Sequence, residues 1–308
     1  MRYPRPDAAK SAPMLQPEGD RPLNAPEIPG RAFSAAELAR RLVGRMFIYA
    51  LFPVMFSQAF ALRRHALSFL PPVGPREGRI GRGDPLHFLA IGDSIIAGVG
   101  ARRIEQSTVA HVARFMSGRL SREVNWHAAG KIGASTRGVR VDVVPGLPSR
   151  AFDAILVSVG VNDVLKLERS ARYRRQLLKL LHELRRHSPG AVIACLGLPP
   201  LDEFPKLRRP LRWIVGMRVR RFDQVAREAL ERVPDVLHIP VRFSPRAEMF
   251  SDDGLHPSET SQRRLAKIVA GVMTPRLEAG GAHRHGAARG LVRLERVVRD
   301  RRGGARST

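Results

Sequence analysis

Four short blocks carry side chains whose types and spacing could perform acyl-transfer chemistry. Gly-Asp-Ser at 92–94 ends the apolar run "LHFLAI" and offers Ser94 as a hydroxyl at a chain junction, a nucleophile if a base reaches it. Asp253-Gly254-Leu255-His256-Pro257 sets a carboxylate three residues before an imidazole, across a turn that contains glycine. In that spacing Asp253 can accept a hydrogen bond from Nδ1 and aim Nε2 of His256 at a nucleophile. Asn162, in Gly-Val-Asn-Asp at 160–163, can donate a side-chain amide hydrogen to a developing oxyanion. Gly133, in "GKIGAST" at 130–136, can supply a backbone N–H where a side chain would obstruct. Taken one at a time, each has an ordinary structural reading, since serine and aspartate cap helices and asparagine and glycine form turns.

Elements of the right kind precede these blocks. Apolar runs of strand length fall at 86–92, 124–129, 154–160, 191–197 and 236–241. Between them, apolar residues at helical spacing predict helices over 107–120, 171–186 and 211–232, with a last one from about 257 to 272. Alternating strands and helices imply a five-stranded parallel sheet covered on both faces, because parallel strands need crossover connections. In such sheets the carboxyl ends of the strands form the ligand crevice. Gly-Asp-Ser, "GKIGAST", Gly-Val-Asn-Asp and "GLPP" at 197–200 each follow a strand and would face that crevice, while the Asp253–His256 block sits in the loop before the last helix.

The order, strand-end placement and chemical types of the four blocks resemble the GDSL/SGNH hydrolase family over about residues 86 to 272. The resemblance implies a three-layer α/β/α, flavodoxin-like fold. It also implies serine hydrolase activity on carboxylic esters, with carbohydrate O-acetyl esterase or thioesterase activity as alternatives on the same site. In its terms Ser94 is the nucleophile, Asp253 and His256 complete the triad, and the oxyanion hole is made by Ser94, Gly133 and Asn162, with Gly130 the alternative to Gly133. No cofactor or metal is called for. Two positions depart from the family's habit: Ile96 stands where a small or hydroxyl residue is frequent, and Ala128 where an Asn often begins the second block.

Composition limits the remaining classes. A net charge of +25 in 308 residues would suit nucleic acid or an anionic membrane surface. The arginines are nevertheless scattered, with few interleaved aromatics and no nucleic-acid-binding motif, so no specific nucleic-acid partner is expected. One cysteine, Cys195, excludes an internal disulfide framework and sits in the apolar run "AVIACLG", which suits a buried thiol in a reducing compartment. No cysteine cluster, His-x3-His or HExxH spacing offers a metal site. The glycines at 92, 98 and 100 lack dinucleotide-fingerprint spacing, and no Walker A sequence is present.

The segment 46–62, "MFIYALFPVMFSQAFAL", has 17 uncharged residues after Arg40, Arg41 and Arg45. A spanning helix wants roughly 20 apolar residues, and Pro53, Ser57 and Gln58 weaken this one. Packing on the domain or lying at a membrane surface, anchoring in a membrane, and acting as an export signal are the three readings it admits, so cytoplasmic, membrane-associated and exported locations all stay open. The expected organisation is a disordered region over 1–33, an apolar helical segment and linker over 34–85, the hydrolase domain over 86–275, and a basic disordered tail over 276–308. The expected partners are a small-molecule, lipid or glycan ester, with membrane-surface association through 46–62 and basic residues. The competing class is a non-catalytic scaffold that binds anionic surfaces, for which an intact set of Ser94, Asn162, Asp253 and His256 has no purpose. Phe204, Pro205, Leu211 and Trp213, after the fourth strand, could line an acyl pocket or lid or open the next helix as core.

Overall fold

A computed structural model describes residues 71–242 and 246–280, together with Ser57. The expectations for 1–33, for 34–70 with the apolar stretch 46–62 (Ser57 aside), and for the part of the 276–308 tail beyond Gly280 fall outside the described residues, while 276–280 lie in the last helix. Strands are β1 (Glu77–Ile80), β2 (Pro85–Gly92), β3 (Glu123–Gly130), β4 (Ala154–Ser158), β5 (Val192–Leu196) and β6 (Val236–Ile239). Helices are α1 (Thr108–Leu120), α2 (Thr136–Gly138), α3 (Val161–Leu165), α4 (Ser170–His187), α5 (Leu211–Leu230) and α6 (Glu259–Gly280). The sheet order is β1-β3-β2-β4-β5-β6. The last five strands run parallel in the 2-1-3-4-5 order of flavodoxin-like folds, whose chain direction across the sheet reverses at the first strand, here β2.

The sheet has six strands, not the five expected, and it is mixed. β1 pairs antiparallel with β3, Glu77 opposite His127 and Ile80 opposite Val124. It lies in the Gly/Pro/Arg-rich stretch read as linker. An edge strand needs only its backbone ladder and one covered face, so it carries no apolar alternation to detect. Gly78 lies flat against the Trp126 indole, where a Cβ would come within 2.8 Å of the ring.

Alternation along the central strands fills two cores. Leu86, Phe88 and Ala90 of β2 face one side, packing with Val109, Val112 and Met116 of α1 and Ala266, Val269 and Met273 of α6. Leu89 and Ile91 face the other, with Tyr173, Leu177, Leu180 and Leu184 of α4 and Val215, Val219 and Phe222 of α5. In α4 those apolar residues recur at three- and four-residue spacing with arginines between them, and Arg185, Arg186 and His187 in its last turn oppose the negative end of the helix dipole. Ser188, Pro189 and Gly190 then end it.

Two helix limits differ from expectation. α6 begins at Glu259, because Pro257 is taken by a bridge to Phe250. It also continues through Pro275 to Gly280, beyond the expected end near Val272. Cys195 is fully enclosed, and burial pushes its thiol up to about 12, which makes it an inert core group. Among the described residues no helix is long and apolar enough to cross a membrane.

Candidate active site

Backbone hydrogen bonds tie three loops together where β2, β3 and β4 end. Asp93 N–H donates to Ser158 O at the end of β4 (3.1 Å), and Lys131 N–H just past β3 donates to Gly92 O (3.0 Å). The chain after Gly92 is therefore held from both sides, and Ser94 emerges half-buried from a tight turn closed by Ala97 N–H to Asp93 O and Val99 N–H to Ser94 O. Gly130 makes this fit possible: a Cβ there would lie 2.1 Å from Ala97 N and 2.6 Å from its Cα. Gly133, three residues on, has φ +71° and open space where its Cβ would be.

The loop before α6 meets this turn from the far end of the chain. Ser94 Oγ lies 3.0 Å from His256 Nε2, and His256 Nδ1 lies 2.6 Å from Asp253 Oδ2. Asp253 Oδ1 accepts from the backbone N–H groups of Leu255 (2.7 Å) and His256 (2.8 Å), which curls the loop around its own carboxylate. Burial alone would raise the Asp253 carboxyl. The hydrogen bonds from the His256 ring and from the two amides outweigh it, bringing the group down to about 2. A carboxylate facing Nδ1 keeps the proton on that nitrogen and makes Nε2 the atom that can accept from the serine hydroxyl.

Asn162 occupies the first turn of α3, which starts three residues past β4. Its side chain is half-buried and makes no hydrogen bond to another described residue. Asp163 beside it is buried and accepts from Thr136 N–H and Oγ–H. Lys166 at the end of α3 donates to Gly133 O (2.7 Å). The helix carrying Asn162 and the loop carrying Gly133 are thus joined twice. Asp93, the middle residue of Gly-Asp-Ser, is buried under the turn and accepts from Ile95 N–H (3.2 Å). Burial pushes its carboxyl up to about 6 against the pull of that amide and of His256, with Asp163 adding to the rise.

The structure brings Ser94, His256 and Asp253 into one hydrogen-bonded series, and the Asn162 and Gly133 segments converge on the same end of the sheet. Three features went unread in the sequence. One is the Asp163–Thr136 clamp, although both residues lie inside the motif blocks. Another is Gln262, fully buried in the first turn of α6, which accepts from Thr108 N–H (2.9 Å) and donates to Val99 O (3.2 Å), fastening the histidine loop to the serine turn. The third is the edge contact of Phe204 with Phe250, 4.9 Å between centroids, which backs the histidine loop. Of the residues left open as pocket or core, Phe204 and Leu211 are core, whereas Pro205 and Trp213 are exposed. Among the described residues no group of three or more His, Cys, Asp or Glu could hold a metal ion.

The profile of the GDSL-like Lipase/Acylhydrolase family matches residues 90–264. No curated protein matches the sequence. Similar solved structures include a lipase, Lip_vut3, from a goat rumen metagenome, at 22% identity and a TM-score of 0.53 over 62% of this chain and 99% of that one. A lipase/acylhydrolase from Enterococcus faecalis gives 22%, 0.50, 62% and 96%. A family 3 carbohydrate esterase from Clostridium thermocellum gives 16%, 0.51, 64% and 98%. At these identities the likeness concerns the fold.

Proposed function

Given that this chain belongs to the GDSL-like lipase/acylhydrolase family of ester-hydrolysing enzymes, we propose that it cleaves carboxylic esters through Ser94, His256 and Asp253 and an acyl-enzyme intermediate. His256, held by Asp253, takes the hydroxyl proton as Ser94 Oγ attacks the ester carbonyl. The N–H groups of Ser94 and Gly133 and the Asn162 amide receive the oxyanion. His256 then gives its proton to the leaving alcohol, and water attacking the acyl-serine by the same route frees the enzyme.

The observation that carries this reading is the unbroken series from Ser94 Oγ through His256 to Asp253, at 3.0 and 2.6 Å. It lies where the sheet order reverses, the usual crevice of this architecture. The two glycines divide by role: Gly130 has no room for a side chain because the serine turn lies against it, whereas Gly133 faces open space as an oxyanion donor must. The Asn162 amide, which has no hydrogen-bond partner among the described residues, supports the third donor position.

Hydrolysis of p-nitrophenyl acetate, butyrate, octanoate and palmitate, measured beside Ser94→Ala and with a fluorophosphonate probe, tests the proposal. Turnover should fall by on the order of 10⁶ in the variant, with labelling lost. A purified Ser94→Ala protein that turns over and labels like the parent overturns it. An acetylated xylan and an acyl-thioester in the same series distinguish O-deacetylation and thioester cleavage from simple ester hydrolysis.

A further inference from the structure

Large apolar side chains are exposed at eight described positions, and four of these lie on two elements that touch: Leu165 and Leu167 at the end of α3, and Trp213 and Met217 in the first two turns of α5. Arg218 joins the elements, its Nε donating to Val164 O (3.3 Å) and its Nη2 to Glu168 O (2.6 Å), so its guanidinium brackets the turn that carries both leucines. α3 begins three residues past the end of β4, and α5, reached from β5 through residues 197–210, is tied to α3 by Arg218, so this patch lies at the end of the sheet where Ser94 sits. Trp213, at 65% exposed, is a large apolar surface to leave in water.

The surroundings of the patch are cationic. Residues 201–221 hold seven Lys or Arg against Asp202 and Glu203, and 165–175 hold five against Glu168. Asp202 is paired with Arg220 and Glu168 with Arg172, which leaves a positive excess around the apolar centre. Exposed indole and aliphatic groups ringed by Lys and Arg match the boundary between anionic headgroups and acyl chains. Single-stranded nucleic acid asks instead for aromatic stacking platforms, and Leu165, Leu167 and Met217 offer none.

We propose that the α3–α5 rim is a docking surface for an anionic lipid bilayer, with Trp213, Met217, Leu165 and Leu167 entering the interface and the crevice turned toward it. The surface does not depend on the catalytic assignment, so Ser94→Ala should dock like the parent.

The chain has two tryptophans, and Trp126 is buried in the sheet at 3% exposure, so a change in emission on binding reports Trp213. Full-length protein is mixed with phosphatidylglycerol vesicles, with phosphatidylcholine vesicles, and with vesicles carrying brominated acyl chains. Phosphatidylglycerol should shift Trp213 emission to the blue and brominated lipid should quench it. Both signals should vanish in Trp213→Phe, weaken in high salt, and be about tenfold weaker in partition for Leu167→Ser/Met217→Ser of unchanged circular dichroism. Co-sedimentation without Trp213 quenching would place docking elsewhere on the chain and overturn the proposal. Equal, salt-insensitive binding to phosphatidylcholine would do the same, as would no partition at all. Trp213 emission that is already blue, depends on protein concentration and ignores vesicles would assign the rim to a second copy of the chain.

Discussion

Asp163 Oδ2 accepts two hydrogen bonds from one residue, Thr136, whose N–H lies at 2.8 Å and whose Oγ lies at 2.9 Å. Both residues are buried, and burial raises the carboxyl against the pull of these two donors. Together with the Lys166 bond to Gly133 O, the pair holds the Asn162 helix and the Gly133 loop in one arrangement. Thr136→Val keeps the amide donor and removes the hydroxyl, at a cost of about 1–3 kcal/mol in stability. With the proposed oxyanion donors less firmly held, kcat should fall about tenfold while KM stays near the parent value. Urea unfolding and steady-state kinetics on one ester check both, and equal losses in kcat and 1/KM would refute the positioning role.

Asp253→Asn preserves size but presents an amide to Nδ1, favouring the wrong tautomer. A loss in kcat on the order of 10⁴ is expected, as in serine proteases altered in this way. The same residue marks the acid limb of stability. Its folded value of about 2 lies below the ordinary 3.8, so its contribution is complete above about pH 4 and is lost as pH falls toward 2. Acid unfolding followed by circular dichroism should show a shallower drop between pH 4 and 2 in the variant than in the parent.

Asp93 works in the opposite sense. A carboxyl raised from 3.8 to about 6 favours the folded state when protonated, so its contribution is complete below pH 3.8 and disappears as pH rises through 6. Asp93→Asn resembles the protonated group and still accepts from Ile95. Between pH 4 and 7 the parent should lose on the order of 2 kcal/mol relative to the variant, from about 1.4 kcal/mol per pKa unit. Melting temperatures across that range would reveal parallel curves if the burial of Asp93 had no such effect.

The glycines of the second block should separate by stability. Gly130→Ala forces a Cβ against backbone atoms of Ala97 at 2.1 and 2.6 Å and displaces the serine turn, so it should cost about 1–3 kcal/mol or more and most of the activity. Gly133→Ala meets no atom and carries only the strain of a left-handed residue, about 1 kcal/mol. Thermal melts of the two variants check the order; the reverse order would contradict the division of roles drawn from the close approach at 130.

Motif blocks and parallel strands were legible because buried strands must be apolar throughout and must end abruptly where chemistry begins. The apolar runs consequently placed all five parallel strands, though β4 and β6 stop two residues early. Val159 shows why: it is buried in the turn past β4, so hydrophobicity outlasts the ladder there. β1 was illegible because only Ile80 among its four residues is apolar and its pairing is carried by backbone. The end of α6 was misread at Pro275, a residue that long helices can absorb when packing continues on one face. Asp163 and Thr136 were overlooked because a buried clamp depends on a contact across 27 residues that no local pattern announces. Trp213 could not be assigned inside or out, since one aromatic in the first turn of a helix fits either face.

Gln262 joins the last helix to Thr108 and to Val99 at the end of the serine turn. In order of synthesis, Ser94 leaves the ribosome well before its proposed base, His256, which lies 162 positions further along the chain. Until α6 docks against α1, the serine turn lacks both its histidine and the glutamine that anchors the histidine loop. On the proposed roles, ester turnover reports that α6 has docked, since a chain with this helix displaced lacks both the proposed base and the glutamine that anchors it.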